Sequence, residues 1–258
     1  AKADKIKASG DLTSSNSTYK RVFGKVASQL EALEDVKDLP NGITEAVNLA
    51  LENNFSLIAA KCEELSALDG VSLSRSSLKP SVTLSGSASH SETSGDSDSS
   101  STSASVTANL NIPLYQAGAV YSGIRSAKEE ANRRRILVES TRRNVIETSS
   151  KAFTAWRTAK AQAEALAAEV ESAEIALEGV EQEALVGART VLDVLDAEQE
   201  RLSAQVRLVR ANRDTFVAAY SLLSALGKLT AKGLELPVET YDYDKNFVRV
   251  RNLYYGER

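Results

Sequence analysis

Between Gly123 and Gly179 the chain contains neither glycine nor proline, the residues that most often interrupt a helix. From Ala152 onward, apolar residues recur at alternating steps of four and three, which is the spacing of a coiled-coil seam. The seam consists of Ala152, Trp156, Ala159, Ala163, Leu166, Val170, Ala173, Leu177, Val180 and Ala184. The pattern predicts one helix of about 65–70 residues, or roughly 100 Å, that starts near Gly118.

A bend is predicted after this helix, near residues 186–191. Gly187 is placed as the residue that follows a helix, where glycine adopts a left-handed conformation at little cost. Thr190 can cap a second helix, with Asp193 three residues later as in a capping box. In that second helix an apolar residue recurs at every seventh position, at Leu195, Leu202, Val209, Phe216 and Leu223. Residues 115–230 are therefore predicted to form an antiparallel coiled-coil hairpin.

The period changes to two between residues 79 and 114. "PSVTLSGSASH" and "SASVTANLNIP" alternate apolar residues with Ser, Thr or Asn, and a polar loop separates them. Each run is close to the ~9–11 residues of a tilted transmembrane strand. A half-buried hairpin of a soluble sheet has the same pattern. Two strands cannot close a barrel, so a membrane hairpin requires strands from other copies or from other parts of the chain.

The remaining segments are predicted from helical spacing and from a short internal echo. Residues 43–78 show helical spacing and are expected to form one helix as far as about Ser77. "VFGKVASQLE" near the start of the chain resembles "ALGKLTAKGLE" near its end. Residues 1–42 are therefore interpreted as the end of a preceding repeat helix and a linker. Residues 231–258 form a tyrosine-containing C-terminal tail.

Composition excludes several classes of function. Cys62 is the only cysteine and His90 the only histidine, so an intrachain disulfide, a cysteine or multi-histidine metal cluster and most Ser-His or Cys-His catalysis are excluded. A net charge of −4 argues against general nucleic-acid binding. The basic run at residues 133–143 has acidic neighbours and is interpreted as a solvated helix face. No stretch approaches the roughly 20 apolar residues of a membrane-spanning helix.

Charged residues cluster at the predicted bend. Asp193 and Asp196 are three residues apart and share a helix face, so their carboxylates repel each other unless a cation or an arginine is near. Arg189 is a local candidate for that arginine. Asp193 is also explained as a first-turn acid that complements the helix dipole. Acid–base catalysis by the pair is disfavoured because an exposed tip offers no pocket to shift a pKa.

Four motifs together resemble the TolC-type outer-membrane efflux and type I secretion protein family. They are "LKPSVTLSGSAS", "LNIPLYQAGAVYSGIRSAK", "VGARTVLDVLDAEQERL" and "AAYSLLSALGKLTA", in that order. The resemblance covers about residues 43 to 231 and, more weakly, residues 1–31. It implies a mainly α fold with a β-hairpin, in which a homotrimer shares an outer-membrane β-barrel and a long periplasmic helical barrel. Most of the family's first repeat is missing, so the chain is expected to be a fragment or a split version.

The resemblance also implies roles for individual residues. Asp193 and Asp196 match the family's aspartate rings, which constrict the periplasmic entrance and bind cations. Arg189 matches a latch residue, whereas the family's latch tyrosine is replaced by Ala184, which leaves that contact incomplete. The strand-to-helix turn is matched by Pro113 and Gly118.

A passive exit duct of a tripartite efflux pump or a type I secretion system is the function that the resemblance implies. It would lie in the outer membrane of a Gram-negative bacterium, contact outer-membrane lipid, extend into the periplasm and need no cofactor. A periplasmic adaptor protein and an inner-membrane transporter would be its partners. A periplasmic coiled-coil adaptor is one alternative, although its usual Arg-Leu-Ser motif would here lie at 201–203, more than two turns beyond the bend. A soluble coiled-coil scaffold is the other alternative.

Overall fold

A computed structural model describes residues 2–27, 36, 39–93, 99–239, 241–251 and 253. The chain divides into two compact units, residues 1–38 and residues 39–258. The first unit contains α1 (Lys2–Phe23), on which the rings of Tyr19 and Phe23 lie 4.5 Å apart. This helix agrees with the predicted helical start of the chain. Residues 28–31 of the predicted echo lie outside the described residues.

The second unit begins with two helices where the sequence predicted one. Helix α2 (Ile43–Asn53) and helix α3 (Phe55–Ser76) are separated at Asn54. The Asn54 side chain accepts hydrogen bonds from the backbone N–H groups of Ser56 and Leu57, at 3.0 and 3.4 Å. This capping satisfies donors that have no partner within the helix, so a new helix starts at Phe55. The expectation of one uninterrupted helix to Ser77 was therefore wrong.

The β-hairpin consists of β1 (Ser81–Thr93) and β2 (Ser99–Asn111), which pair antiparallel from Ser81↔Asn111 to Thr93↔Ser99. One face of this pair is apolar over residues 82–88 and 104–110, and its large side chains are exposed at Val82, Leu84, Val106 and Leu110. Hydroxyl groups line the other face and hydrogen-bond across the strands: Ser87 with Ser105 at 2.9 Å and Ser89 with Ser103 at 2.7 Å. The predicted alternation is confirmed.

Two long helices form the hairpin. Helix α4 (Ala119–Leu185) has 67 residues, as the sequence predicted, and is followed by α5 (Val191–Ala225) with 35 residues. From Arg157 to Leu185 the side chains of α4 that are shielded from solvent are those of the predicted seam. A short helix, α6 (Tyr243–Arg251), follows in the tail. None of the helices that the structure describes is long and apolar enough to cross a membrane.

The seam predicted for α5 was largely wrong. Leu195, Leu202 and Val209 are 54%, 52% and 69% exposed. The shielded residues of α5 instead include Ala204 and Ala211. Alanine is small enough to let α5 approach the alanine-rich seam of α4 closely, whereas leucine would hold the helices apart. The bulkier stripe therefore lies on a second face of α5.

The hydrophobic core lies where α2, α3, α4 and the end of α5 meet. Its buried members are Ala46, Ala50, Leu57, Ala60, Val138, Val145, Phe153, Leu222 and Leu226. Gly227 makes the closest approach here, because a Cβ at this position would lie 2.2 Å from the carbonyl oxygen of Asn53. The core fixes the end of the hairpin that is opposite the tip.

Candidate functional site at the hairpin tip

The backbone of the tip forms a regular helix end. Gly187 has a φ of +78°, and its N–H donates to the carbonyl of Ala184 at 3.0 Å. The N–H of Ala188 donates to the carbonyl of Glu183 at 2.9 Å. These two bonds are the Schellman pattern that glycine favours at a helix C-terminus. The left-handed conformation predicted for Gly187 is confirmed.

Thr190 and Asp193 form a capping box at the start of α5. The Thr190 hydroxyl accepts from the N–H of Asp193 at 3.3 Å. The N–H and the hydroxyl of Thr190 each donate to Oδ2 of Asp193 at 2.8 Å. These bonds, first from the Thr190 backbone and then from its hydroxyl, hold the pKa of Asp193 below its ordinary value, and the Arg189 charge adds to them. Both bonds reach one oxygen, so Oδ1 is left for another partner.

Arg189 bridges the turn to the end of α4. Its Nε donates to Oε2 of Glu183 at 2.7 Å, and this bond raises the pKa of the guanidinium. Arg189 was predicted to lie beside the two aspartates, and its partner Glu183 was not predicted. Glu183 could have been identified as this partner from its position six residues before Arg189, on the last turn of α4 and across the bend at Gly187.

Asp196 lies one turn further along α5 than Asp193, and its side chain is exposed. Within the described residues no hydrogen bond or ion pair engages it. The tip therefore carries three carboxylates, at Glu183, Asp193 and Asp196, against one guanidinium. Ala184 is half-buried in the α4 seam, so its side chain contributes packing and no hydrogen bond.

In the part of the chain that the structure describes, these groups form no cluster that could hold a metal ion. Groups of three or more His, Cys, Asp or Glu side chains that could hold a metal ion are absent there. The carboxylates and Arg189 are open to water, which screens their charges. Exposed carboxylates of this kind attract cations only weakly and reversibly.

Apolar side chains flank the charged groups on both helices. Leu185 and Val186 at the end of α4, and Val191 and Leu192 at the start of α5, are all exposed. Solvent-exposed apolar residues that are contiguous mark interaction surfaces more often than isolated ones do. The tip thus combines an acidic part with an apolar rim.

The apolar rim continues into the second face of α5. Mostly apolar residues recur there at alternating steps of three and four, as in a second seam. Its members are Leu192, Leu195, Gln199, Leu202, Val206, Val209, Arg213, Phe216, Tyr220 and Leu223. From Leu192 to Val209 the apolar members are exposed in the single chain. One side of α5 therefore packs on α4, while the other side presents a seam that is exposed from Leu192 to Val209 among the described residues.

The strand-to-helix turn lies at the opposite end of α4. Gly118 is the N-cap of that helix with a φ of +81°, and Ala117 before it also has a positive φ of 48°. Pro113 and Gly118 line a groove of about 370 Å³ together with Leu78 and Tyr115. The positive φ of Gly118 accounts for glycine at this turn, because other residues are strained there.

Known outer-membrane proteins resemble this chain in sequence. Residues 46–228 match the model of the family described as "Outer membrane efflux protein". The chain is 32% identical to the outer membrane efflux protein BepC of Brucella suis over 252 residues, which cover 97% of this chain and 55% of that protein. It is 28% identical to the outer membrane protein TolC of Vibrio cholerae, covering 88% of this chain and 54% of that one. The chain thus spans about half the length of these relatives.

Solved structures agree in fold. The open state of the MtrE outer membrane channel of Neisseria gonorrhoeae superposes with a TM-score of 0.72 at 20% identity, covering 88% of this chain and 52% of that one. The CmeC outer membrane channel of Campylobacter jejuni gives a TM-score of 0.64 at 20% identity, with coverage of 78% and 44%. The architecture is that of TolC-like channels, and the family is one of channel proteins rather than enzymes. By its family match, the chain belongs to the outer membrane efflux proteins, whose members lie in the outer membrane.

Proposed function

We propose that the chain is part of a passive, trimeric exit duct of a tripartite efflux pump or a type I secretion system. The duct runs from an outer-membrane barrel to a gate at the periplasmic tip of the helical hairpins. The family match favours this function over the adaptor and scaffold alternatives. Energy for transport comes from partner proteins, since a duct only provides a path.

The observation that carries the proposal is the second seam of α5. A helix with two seams on different faces can pack on two neighbours at once, as each member of a ring of helices does. In this chain α4 covers one seam and leaves the other exposed from Leu192 to Val209. A neighbouring hairpin supplies the missing partner and extends the pair into a barrel. Head-to-tail contacts of this kind close into a ring when the rotation between neighbours permits.

The β-hairpin supports the same assembly at the other end of the chain. Its apolar face is exposed on Val82, Leu84, Val106 and Leu110, and its hydroxyl-bearing face is polar throughout. In a closed barrel, the apolar part of the first face meets lipid and the second face lines the lumen. Strands from other copies or from another segment of the protein complete the barrel, because two strands leave open edges.

The gate is assigned to Asp193 and Asp196. Copies of the tip that meet around an axis place these carboxylates in two adjacent rings and concentrate negative charge at one entrance. Oδ1 of Asp193 and the exposed carboxylate of Asp196 are then the cation ligands. Arg189, fixed by Glu183, acts as the latch, and Gly187 and Thr190 set the shape of the turn. The exposed apolar rim at Leu185 to Leu192 is the surface offered to a periplasmic adaptor.

Single-channel recording of the full-length trimer tests this assignment. Replacing both aspartates, Asp193→Ala with Asp196→Ala, should raise the concentration of divalent cation that gives half-maximal block by roughly tenfold, because the ring loses its attractive charge. Glu198→Ala is the matched control, since Glu198 is an exposed acid two residues away and points to the other side of α5. An unchanged half-maximal blocking concentration in the double variant would contradict the proposed aspartate rings. An equal increase in the Glu198→Ala control would contradict them as well.

A further inference from the structure

Positive charge is concentrated where the helices join the β-hairpin. Residues 70–81, at the end of α3, and residues 111–128, at the start of α4, contain four basic residues and no acidic one, although the whole chain has a net charge of −4. The four are Arg75, Lys79, Arg125 and Lys128, and together we call them the basic collar. The loop end of the hairpin is opposite in character: residues 88–104 carry Glu92, Asp96 and Asp98 and no lysine or arginine.

The collar faces solvent with its charges free. All four side chains are exposed, and none has a carboxylate within 4.0 Å among the described residues. By contrast, Arg133 and Arg134 further along α4 are paired with Glu130, and Arg134 also with Glu63. The structure therefore neutralises much of the basic run at 133–143 internally, and leaves the basic residues nearer the strands unneutralised.

The geometry directs part of the collar toward the strands. Arg125 and Lys128 lie about 9 and 14 Å along α4 from its first residue at 1.5 Å per residue. Side chains on a helix tilt toward its N-terminus, which here is the strand end, so both cations reach back toward Asn111. Arg75 from α3 lines the same groove as Lys128, together with Glu64 and Arg135. One cation from each helix thus lines the same groove.

Aromatic and apolar side chains lie at the turn between β2 and α4. Leu114 is 92% exposed and Tyr115 is 88% exposed, and Tyr121 on the first turn of α4 is also exposed. All three line the groove of about 370 Å³ at the strand-to-helix turn. Tyrosine is enriched where hydrocarbon gives way to headgroups, because its ring is apolar and its hydroxyl is polar.

We propose that the basic collar and the Tyr115–Tyr121 groove form a binding surface for anionic phospholipid in the membrane leaflet on the helical side of the hairpin. The lipid phosphate pairs with collar cations, while the start of its acyl chains lies on Leu114 and the tyrosine rings. The inference rests on the proposed membrane insertion of the hairpin, and it adds the lipid class that the surface selects. Lysine and arginine clusters beside a membrane attract anionic lipid, and the attraction weakens with salt.

Nanodiscs containing the full-length protein test the proposal. One set is made of phosphatidylcholine and the other of phosphatidylcholine mixed with phosphatidylglycerol, and native mass spectrometry measures the lipids that stay bound. Wild type should retain phosphatidylglycerol several-fold above its share of the mixture, and added salt should reduce the excess. Arg75→Glu with Lys128→Glu should remove most of it. Arg143→Glu is the control, because Arg143 is an exposed basic residue about 22 Å further along α4.

The outcomes separate the collar from the duct. Insertion into both nanodiscs without any preference for phosphatidylglycerol overturns the collar and leaves the duct standing. An equal loss of preference in the Arg143→Glu control also overturns it. Failure of the wild-type protein to insert into either nanodisc contradicts the proposed function, and the collar with it. Tyr115→Ala should release bound lipid while Tyr115→Trp retains it, and equal retention by both overturns the aromatic part of the surface.

Discussion

The side-chain amide of Asn54 donates a hydrogen bond of 3.0 Å to the carbonyl oxygen of Ala225, 171 residues further along the chain. The carbonyl of the same side chain caps α3. Asn54 therefore joins the break between α2 and α3 to the last residue of α5. One amide thus holds together three helix ends beside the core.

Replacing Asn54 should show both roles. Asn54→Ala should lower the free energy of unfolding by about 2 kcal/mol, of which about half comes from the lost cap and half from the lost hydrogen bond. Asn54→Asp keeps an acceptor for the cap and loses the donor, so its stability should lie between wild type and Asn54→Ala. Denaturant unfolding followed by circular dichroism measures both. Equal stability of Asn54→Ala and wild type would contradict the role of Asn54 in joining the three helix ends.

Gly227→Ala should be among the most destabilising single substitutions in the chain. Gly227 has a φ of +73°, and a Cβ would lie 2.2 Å from the Asn53 carbonyl oxygen, so strain and a backbone clash add together. Gly187→Ala is the matched control, because its φ of +78° is similar and nothing lies within 4 Å of the added atom. Its cost should be about 1–2 kcal/mol, from strain alone. In thermal unfolding, the Tm of Gly227→Ala should be clearly lower than that of Gly187→Ala. Similar Tm values would show that the backbone moves to relieve the clash.

The capping box should make the tip sensitive to acid. Since folding lowers the pKa of Asp193, its contribution to stability is complete above the ordinary aspartate value of 3.8 and is lost as the pH falls through the folded pKa. Hydrogen exchange at the tip amides should therefore be slower in wild type than in Asp193→Asn at neutral pH, with the difference shrinking in acid. Asp196→Asn leaves the box intact and should preserve the pH dependence. A difference between wild type and Asp193→Asn that persists unchanged at low pH counts against this account.

Val209→Gln should weaken trimers more than it weakens the folded chain. Val209 is 69% exposed in the single chain, so its replacement removes little intrachain packing, but it places an amide in the seam offered to a neighbour. Arg210→Gln is the control, since Arg210 is the next residue and lies off both seams. Size-exclusion chromatography with light scattering should show dissociation at a lower detergent or denaturant concentration for Val209→Gln only. Equal trimer stability in the two variants would argue against this seam as the interface.

Arg189 and Glu183 should act as one unit in tip closure. Arg189→Gln is expected to raise the entry of bulky antibiotics into cells that carry the full-length duct. Glu183→Gln should have a weaker effect in the same direction, because it frees the guanidinium without removing it. The double variant should match Arg189→Gln, since the two changes break one contact. Antibiotic sensitivity that does not change in Arg189→Gln would exclude the latch role.

Local sequence signals were sufficient to predict the tip. Gly187, Thr190 and Asp193 act through hydrogen bonds within a few residues, so their spacing already determined the turn. The length of α4 was also predictable from a local signal, because no Gly or Pro lies between Gly123 and Gly179. Glu183 was missed because its partner lies beyond a bend whose geometry depends on the left-handed glycine.

Features that depend on residues distant in the chain were harder to predict from the sequence. The break at Asn54 interrupts a sequence with continuous helical spacing, and its second anchor, Ala225, is remote in the chain. The face of α5 that packs on α4 was misassigned because the largest apolar residues were taken to mark the buried side. Large apolar residues are excluded from that side of α5, because they would hold it away from the alanine-rich seam of α4. Because α5 has a seam on each of two faces, the sequence pattern alone does not identify the face that packs on α4.

The continuity of α4 has a mechanical consequence. It runs without a break from the strand end to the tip, while the joint formed by Asn54, Ala225 and Gly227 lies part of the way along it. The tip is about 52 Å from that joint, as judged from the 35 residues of α5 at 1.5 Å per residue. A stiff arm of this length turns a rotation of about 10° at the joint into a sweep of roughly 9 Å at its free end. A small rotation near the core is therefore enough to move the tip by nearly the width of a helix.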